Sequence, residues 1–176
     1  MRKLFPDNTF VSPQMPDPNR DLVRLMVGEA PGKEEAASGQ PFQGGAGVWL
    51  DSMLRHAHIP RSGLTITNCI QCQPPKNIFP TDSDARIYIS KEDANEAVSQ
   101  CYRNHVAPML RSRAWKRVDL LGDKPLRIVG GKDDGIFKWR GSPIEWDNLG
   151  GHQRGDRKST RLNSSHIQKS RMPSSA

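Results

Sequence analysis

The sequence predicts an α/β protein, a three-layer α/β/α arrangement around a central parallel sheet of about four strands. Short apolar runs of strand character alternate with helical patterns along the chain, the order that places a parallel sheet between helices. Two of those runs also end on polar loops rich in glycine or proline. An open parallel sheet builds a ligand pocket in this way, at the carboxyl ends of its strands.

The elements follow in chain order. Residues 1–21 hold four prolines with Asp and Asn between them, and read as an irregular arm laid on the domain. Residues 22–27 form the first strand, buried on both faces apart from Arg24. The strand stops at Gly28, which opens the turn Gly28-Glu29-Ala30-Pro31-Gly32. A second glycine-rich segment, Gly39-Gln40-Pro41-Phe42-Gln43-Gly44-Gly45-Ala46-Gly47, brackets a single Phe. Residues 45–58 read as a helix with Val48, Trp49, Met53 and Leu54 at near-helical spacing, closed by Ile59-Pro60. Residues 64–67 form the second strand, which ends on Asn68 and the loop Cys69-Ile70-Gln71-Cys72-Gln73-Pro74-Pro75-Lys76-Asn77. Residues 73–90 make a long, proline-containing excursion too polar for core. Residues 91–111 read as helical, with Ala94, Ala97, Val98, Cys101, His105 and Met109 toward one side and Pro108 kinking or ending the helix. Residues 118–121 are the third strand, and Asp123-Lys124-Pro125-Leu126 starts a helix with Pro in its first turn. Residues 141–155 show no periodic pattern.

From Asp156 onward the apolar residues are isolated and follow neither the helical nor the strand period, so the segment buries no face. It resembles the in-frame translation of a sequencing-library adapter, and residues 150–176 are expected to be a disordered, non-native tail. That matters for the charge. The whole chain is formally +7 with a pI of about 9.6, and the tail supplies Arg157, Lys158, Arg161, Lys169 and Arg171 against Asp156. The rest carries +3 of the +7, which is compatible with a nucleic-acid partner but does not establish one. About 155 residues suit one domain with a single core. No apolar run approaches the ~20 residues of a membrane span, and residues 1–6 lack a signal-peptide apolar region. Three cysteines, an odd number, do not suggest a disulfide scaffold. The expectation is a cytoplasmic monomer with no membrane association.

In sequence and order, the loops after the first two strands resemble those of the uracil-DNA glycosylase superfamily, most closely its iron–sulfur type. That type carries Gly-Glu-Ala-Pro-Gly, Gly-x-Pro-Phe-x-Gly and Thr-Asn-x-x-x-Cys-x-Pro-Pro-x-Asn. Here these stand at residues 28–32, 39–44 and 67–77. The resemblance covers roughly residues 22–141 and implies a DNA repair hydrolase that excises uracil from DNA by cleaving the N-glycosidic bond. A non-catalytic nucleic-acid-binding relative is the alternative. A nucleotide-binding α/β domain is disfavoured, because neither a Walker lysine motif nor Gly-x-Gly-x-x-Gly is present.

The chemistry suits such residues. A uracil glycosylase extrudes the nucleotide and stabilises the leaving uracil anion with fixed donors. A glycine-rich turn lets the main chain approach closely, so residues 28–32, with Gly28, Glu29 and Ala30, are the expected base-binding turn; an ordinary strand-to-helix turn is the plain reading. Phe42 matches the family's base-stacking Phe, although a Phe beside Pro is more often core. Asn68 offers a donor and an acceptor that match the N3–H and O4 edge of uracil; its plain reading is a turn Asn. Resemblance implies that Glu29 and Glu35 place the attacking water or restrict the pocket, with the two roles unassigned between them. A solvated helix-end charge is the plain reading of the Glu34-Glu35 pair. Asn77 is a second water-positioning candidate.

The cysteines depart from the family pattern. The iron–sulfur type uses four Cys ligands. Cys72 and Cys101 match the later two, no Cys precedes Gly28, and a standard four-Cys site is not expected to form. Cys69 reads as a buried, hydrophobe-like thiol. The alternative is a zinc set of Cys69, Cys72, Cys101 and His105. The family's last motif, a His-Pro segment followed by a DNA wedge, has no match, since the nearest His is His152 with no Pro after it. The sheet's last strand and that motif are therefore expected to be missing, and the chain as written to be catalytically weak.

Overall fold

The computed structural model describes residues 9–144. The tail boundary near residue 150, His152 and the stretch from Asp156 lie outside the described residues.

Three parallel strands form the sheet, in the order β2-β1-β3. They are β1 (Arg24–Gly28), β2 (Leu64–Asn68) and β3 (Arg117–Leu120). Three parallel strands among the described residues agree with the expected α/β class, in which a sheet of about four lacks its last strand. Central β1 pairs Gly28 with Asn68 on one side and Val27 with Leu120 on the other. Alternation along β1 sends its side chains to two cores. Leu25 and Val27 pack with Cys69, Val106, Leu110 and Val129, whereas Met26 packs with Leu50, Leu54, Leu64 and Ile66. Helices therefore cover both faces of the sheet. Arg24, the polar residue of the strand, is compensated by Asp119 of β3, with Nε 2.5 Å from Oδ2.

The connection from β1 to β2 holds two helices, α1 (Lys33–Ser38) and α2 (Gly45–His56). Sequence periodicity does not reveal α1, which is short and polar. It ends at Gly39, whose φ of 72° is the left-handed conformation that suits glycine. Helix α2 turns a different face inward than expected. Gly47, Leu50 and Leu54 are buried, while Val48, Trp49 and Met53 are exposed, Trp49 at 73%. The apolar residues of α2 surround more of the helix than one face can bury, so spacing alone does not choose the side.

Residues 91–111 are helical throughout, as expected, but not uniformly α-helical. They comprise α3 (Lys91–Cys101), a π-helical segment Tyr102–Val106, and α4 (Ala107–Arg111). Ala107 N–H bonds the carbonyl of Tyr102, five residues back. Pro108 follows directly and the helix runs on past it; the wider turn accommodates a residue that has no N–H to donate. One extra residue in that turn advances the buried face by one position. Val106, Ala107 and Leu110 are buried, while His105 is exposed and Met109 only half-buried. The excursion at 73–90 is likewise less polar in effect than its composition suggests. Short 3₁₀ turns at Pro75–Asn77 and Ser83–Ile87 fold it so that Phe79, Ala85 and Ile89 are buried.

The chain continues into α5 (Asp123–Ile128), with Pro125 inside its first turn, and a single turn α6 (Ile136–Trp139). The described part of the arm lies along the edge of β2. Gln14 bridges Ile66, Phe10 bridges Cys72, and Val11 is buried. Among the described residues no helix is long and apolar enough to cross a membrane.

Candidate active site

Gly28 and Asn68 sit side by side at the carboxyl ends of β1 and β2. Beyond them the chains stay joined, with Cys69 N–H bonding Gly28 O at 2.8 Å. Gly28 is required by its surroundings. A Cβ there would lie 2.4 Å from Phe42 Cζ and 2.5 Å from Asn68 Oδ1, so the Phe ring and the amide meet on the same bare patch of backbone. Phe42 is half-buried against the Met26–Leu50 cluster and has φ of 55°, a left-handed conformation costly for an aromatic residue. Asn68 is 3% exposed, and its backbone carbonyl accepts from Gln71 Nε2 at 2.8 Å. Among the described residues no protein group hydrogen-bonds its side-chain amide. A buried polar group left unpartnered is uncommon in folded proteins, and this one lies with the Phe42 ring over Gly28.

The two acidic residues differ in employment. Glu35 is buried at the third position of α1 and braces both glycine-rich loops. Its Oε2 accepts Gly32 N–H at 2.8 Å, closing half a capping box, and its Oε1 accepts Gln43 N–H at 2.8 Å and Gly44 N–H at 2.9 Å. Burial works to raise its pKa, but the N–H groups of Gly44, Gln43 and Gly32 outweigh it and hold the carboxyl below the ordinary glutamate range. Stability from such a group is present above its unfolded pKa and lost as pH falls through the folded one. Replacing Glu35 by Ala is expected to cost about 3 kcal/mol at neutral pH. The deficit in urea unfolding should shrink as the solution is made acidic; a deficit independent of pH would contradict the bracing role.

Glu29 is exposed as a residue, yet its carboxyl is partly desolvated. Desolvation pushes its pKa up, Lys124 opposes the shift, and Asp82 and Asp123 add to it. Lys124 is itself ion-paired with Asp82 and lies 5.3 Å from the Phe79 ring centre. Sequence reasoning missed this Lys124–Asp82 pair beside Glu29, because the partners come from segments 42 residues apart. Ala30 packs on the cluster of Ile70, Phe79, Val98 and Cys101. Asn77 is joined to neither Phe42 nor Asn68 by a hydrogen bond among the described residues. It is exposed, has φ of 59°, and its Oδ1 accepts from Gln73 Nε2 at 2.7 Å.

Cys72 and Cys101 line a cavity of about 380 Å³ together with Phe10, Gln71 and His105. Cys101 Sγ accepts from Gln71 N–H at 3.3 Å, and burial raises its pKa to about 11. Cys69 is fully buried in the other core with Leu25 and Val27, and its pKa is raised well above the ordinary thiol value, chiefly by burial. His105, exposed as a residue, packs its ring at 5.3 Å on Phe10, and partial desolvation lowers its pKa. Among the described residues no three His, Cys, Asp or Glu side chains are grouped to hold a metal ion. Three buried thiols, with Cys69 in a different core from Cys101, do not fit a four-thiolate cluster.

The fold is a parallel α/β sheet covered on both faces, with Phe42 and Asn68 meeting over Gly28 at the strand ends. A sequence profile of the Uracil DNA glycosylase superfamily matches residues 16–172, and the chain belongs to that superfamily. The match extends past Asp156, over residues outside the described ones. The type-4 uracil-DNA glycosylase of Thermotoga maritima is 34% identical over 143 residues, which is 76% of this chain and 62% of that protein. Those of Archaeoglobus fulgidus and Pyrobaculum aerophilum are 43% identical over 66 and 56 residues, covering 33% and 29% of their lengths. The chain thus spans about three fifths or less of these relatives.

Proposed function

We propose that this protein is a uracil-DNA glycosylase-like repair enzyme, a cytoplasmic monomer that hydrolyses the N-glycosidic bond of deoxyuridine in DNA. One observation carries the reading: the buried, unpartnered amide of Asn68 beside the Phe42 ring on the bare face of Gly28. An extruded uracil stacks on Phe42 while Asn68 bonds its N3–H and O4 edge, which discriminates it from cytosine by donor and acceptor pattern. The backbone N–H groups of Glu29 and Ala30 favour the negative charge that develops on the leaving base. Glu29 positions the attacking water, and Glu35 holds the two loops in register. Asn77 is a further water-positioning candidate from the motif match alone. Superfamily membership and the type-4 relatives support the reading.

The test is release of free uracil from single-stranded and duplex oligonucleotides carrying one deoxyuridine, with matched cytidine and thymidine strands as controls. Uracil-specific release supports the proposal; equal release from all strands, or retention of full activity in Asn68→Ala, overturns it.

Glu29 adds a pH signature. Its pKa is raised in the folded state, so its proton-linked stability is present below the unfolded pKa and lost as pH rises through the folded value. Glu29→Gln is therefore expected to stabilise the protein at about pH 7 and not at about pH 4, while uracil release falls. Thermal unfolding at the two pH values checks the sign. A loss of stability at neutral pH would mean that ionised Glu29 has a partner that holds it.

A further inference from the structure

The Phe42 backbone is strained, and the side chain that restrains it comes from outside the three family motifs. Arg61 begins the 3₁₀ turn Arg61–Gly63 just before β2. Its Nη2 donates to Pro41 O at 2.7 Å and its Nη1 to Phe42 O at 3.1 Å, so one guanidinium grips both consecutive carbonyls. Asp51 of α2 accepts from the same Nη1 at 2.8 Å, and Gln14 of the arm accepts from Nε at 3.1 Å. Gln14 Nε2 returns a bond to Arg61 O at 3.1 Å. Helix α2 also passes so close that a Cβ on Gly47 would lie 2.1 Å from Phe42 O. The carbonyls of Pro41 and Phe42 are thus drawn to one side, and the ring is left facing Gly28 and Asn68.

We propose that Arg61 is a positioning residue for base recognition: its fork fixes the left-handed turn at Phe42 and so sets the plane on which an extruded base stacks. The proposal rests on the reading of Phe42 as the stacking residue. A planar fork with several donors suits two adjacent carbonyls, whereas a lysine ammonium offers no such geometry. Pre-setting the ring also spares the complex the ordering that a mobile aromatic would require on binding.

The experiment uses the full chain and a labelled single-stranded oligonucleotide with one central 2′-fluoro-2′-deoxyuridine, which resists cleavage. The same strand carrying 2′-fluoro-2′-deoxycytidine is the control. Phe42→Leu is expected to weaken the uridine probe about tenfold. Arg61→Lys is expected to weaken it about fivefold, as for the loss of one carbonyl bond, and Arg61→Gln at least as much. None of these changes should alter the cytidine probe. The double variant Phe42→Leu with Arg61→Lys should bind no more weakly than Phe42→Leu alone, because the fork has lost the ring it positions. Losses that multiply, or that fall equally on both probes, show a merely structural role and overturn the proposal. Wild-type binding by both Arg61 variants does the same while leaving the stacking reading intact. An unaffected Phe42→Leu removes the stacking reading itself, and the role of Arg61 with it.

Discussion

Asn68→Ala is expected to lower uracil release by about 10²–10³-fold, the usual cost of removing one preorganised hydrogen-bonding group from a developing anion. The amide is 3% exposed and bonds no described protein group, so truncating it breaks no internal hydrogen bond of the side chain. Its backbone carbonyl keeps the bond from Gln71. The loss should therefore appear in the rate and not in the unfolding midpoint, where only the small cavity of the missing amide is felt. A single-turnover uracil-release assay beside a urea unfolding curve separates the two. A variant that unfolds early and releases uracil at the wild-type rate per folded molecule would make Asn68 a packing residue.

Gly28→Ala carries the second large effect. The new methyl would stand 2.4 Å from the Phe42 ring and 2.5 Å from Asn68 Oδ1, well inside van der Waals contact. Both are ends of side chains, but Arg61 and the close approach of α2 hold the Phe42 backbone, so the ring must leave its rotamer. Overpacking of this kind costs about 1–3 kcal/mol of stability. The functional loss is expected to be greater, because one methyl displaces both proposed base contacts: uracil release should fall about 10²-fold or more. Gly39→Ala is the comparison, since no atom lies within 4 Å of its Cβ position and only its φ of 72° opposes the change. If the two variants release uracil equally, the space beside Gly28 is not a base site.

Much of the architecture was legible beforehand. The apolar runs at 22–27 and 64–67 mark two adjacent strands because a central parallel strand is apolar on both faces, and the glycine and Asn that end them mark the loops. Placement of Phe42 with Asn68 followed from motif order alone, before any geometry. Helix faces were less legible. In α2 the choice between Trp49 and Leu50 depends on what the sheet presents to it, and near Pro108 a single π turn shifted the buried face from His105 to Val106. Neither event has a local signature, since both arise from fitting a helix to a neighbour.

What the sequence by itself determined was the α/β class, the order of the loops at the strand ends and the residues in them, because these depend on local patterns of apolarity, glycine and proline. Tertiary structure alone decided how the acidic residues divide. Glu29 and Glu35 are six positions apart and chemically identical. One carboxyl meets three backbone N–H groups from two loops and is held ionised, while the other is desolvated near Asp82 and Lys124 and is pushed toward its neutral form. Likewise Arg61 reaches Phe42 only once α2 has folded back over the loop. Electrostatic environment and side-chain reach are properties of distance in space, and residues 42 and 61 become neighbours only when the chain between them is packed.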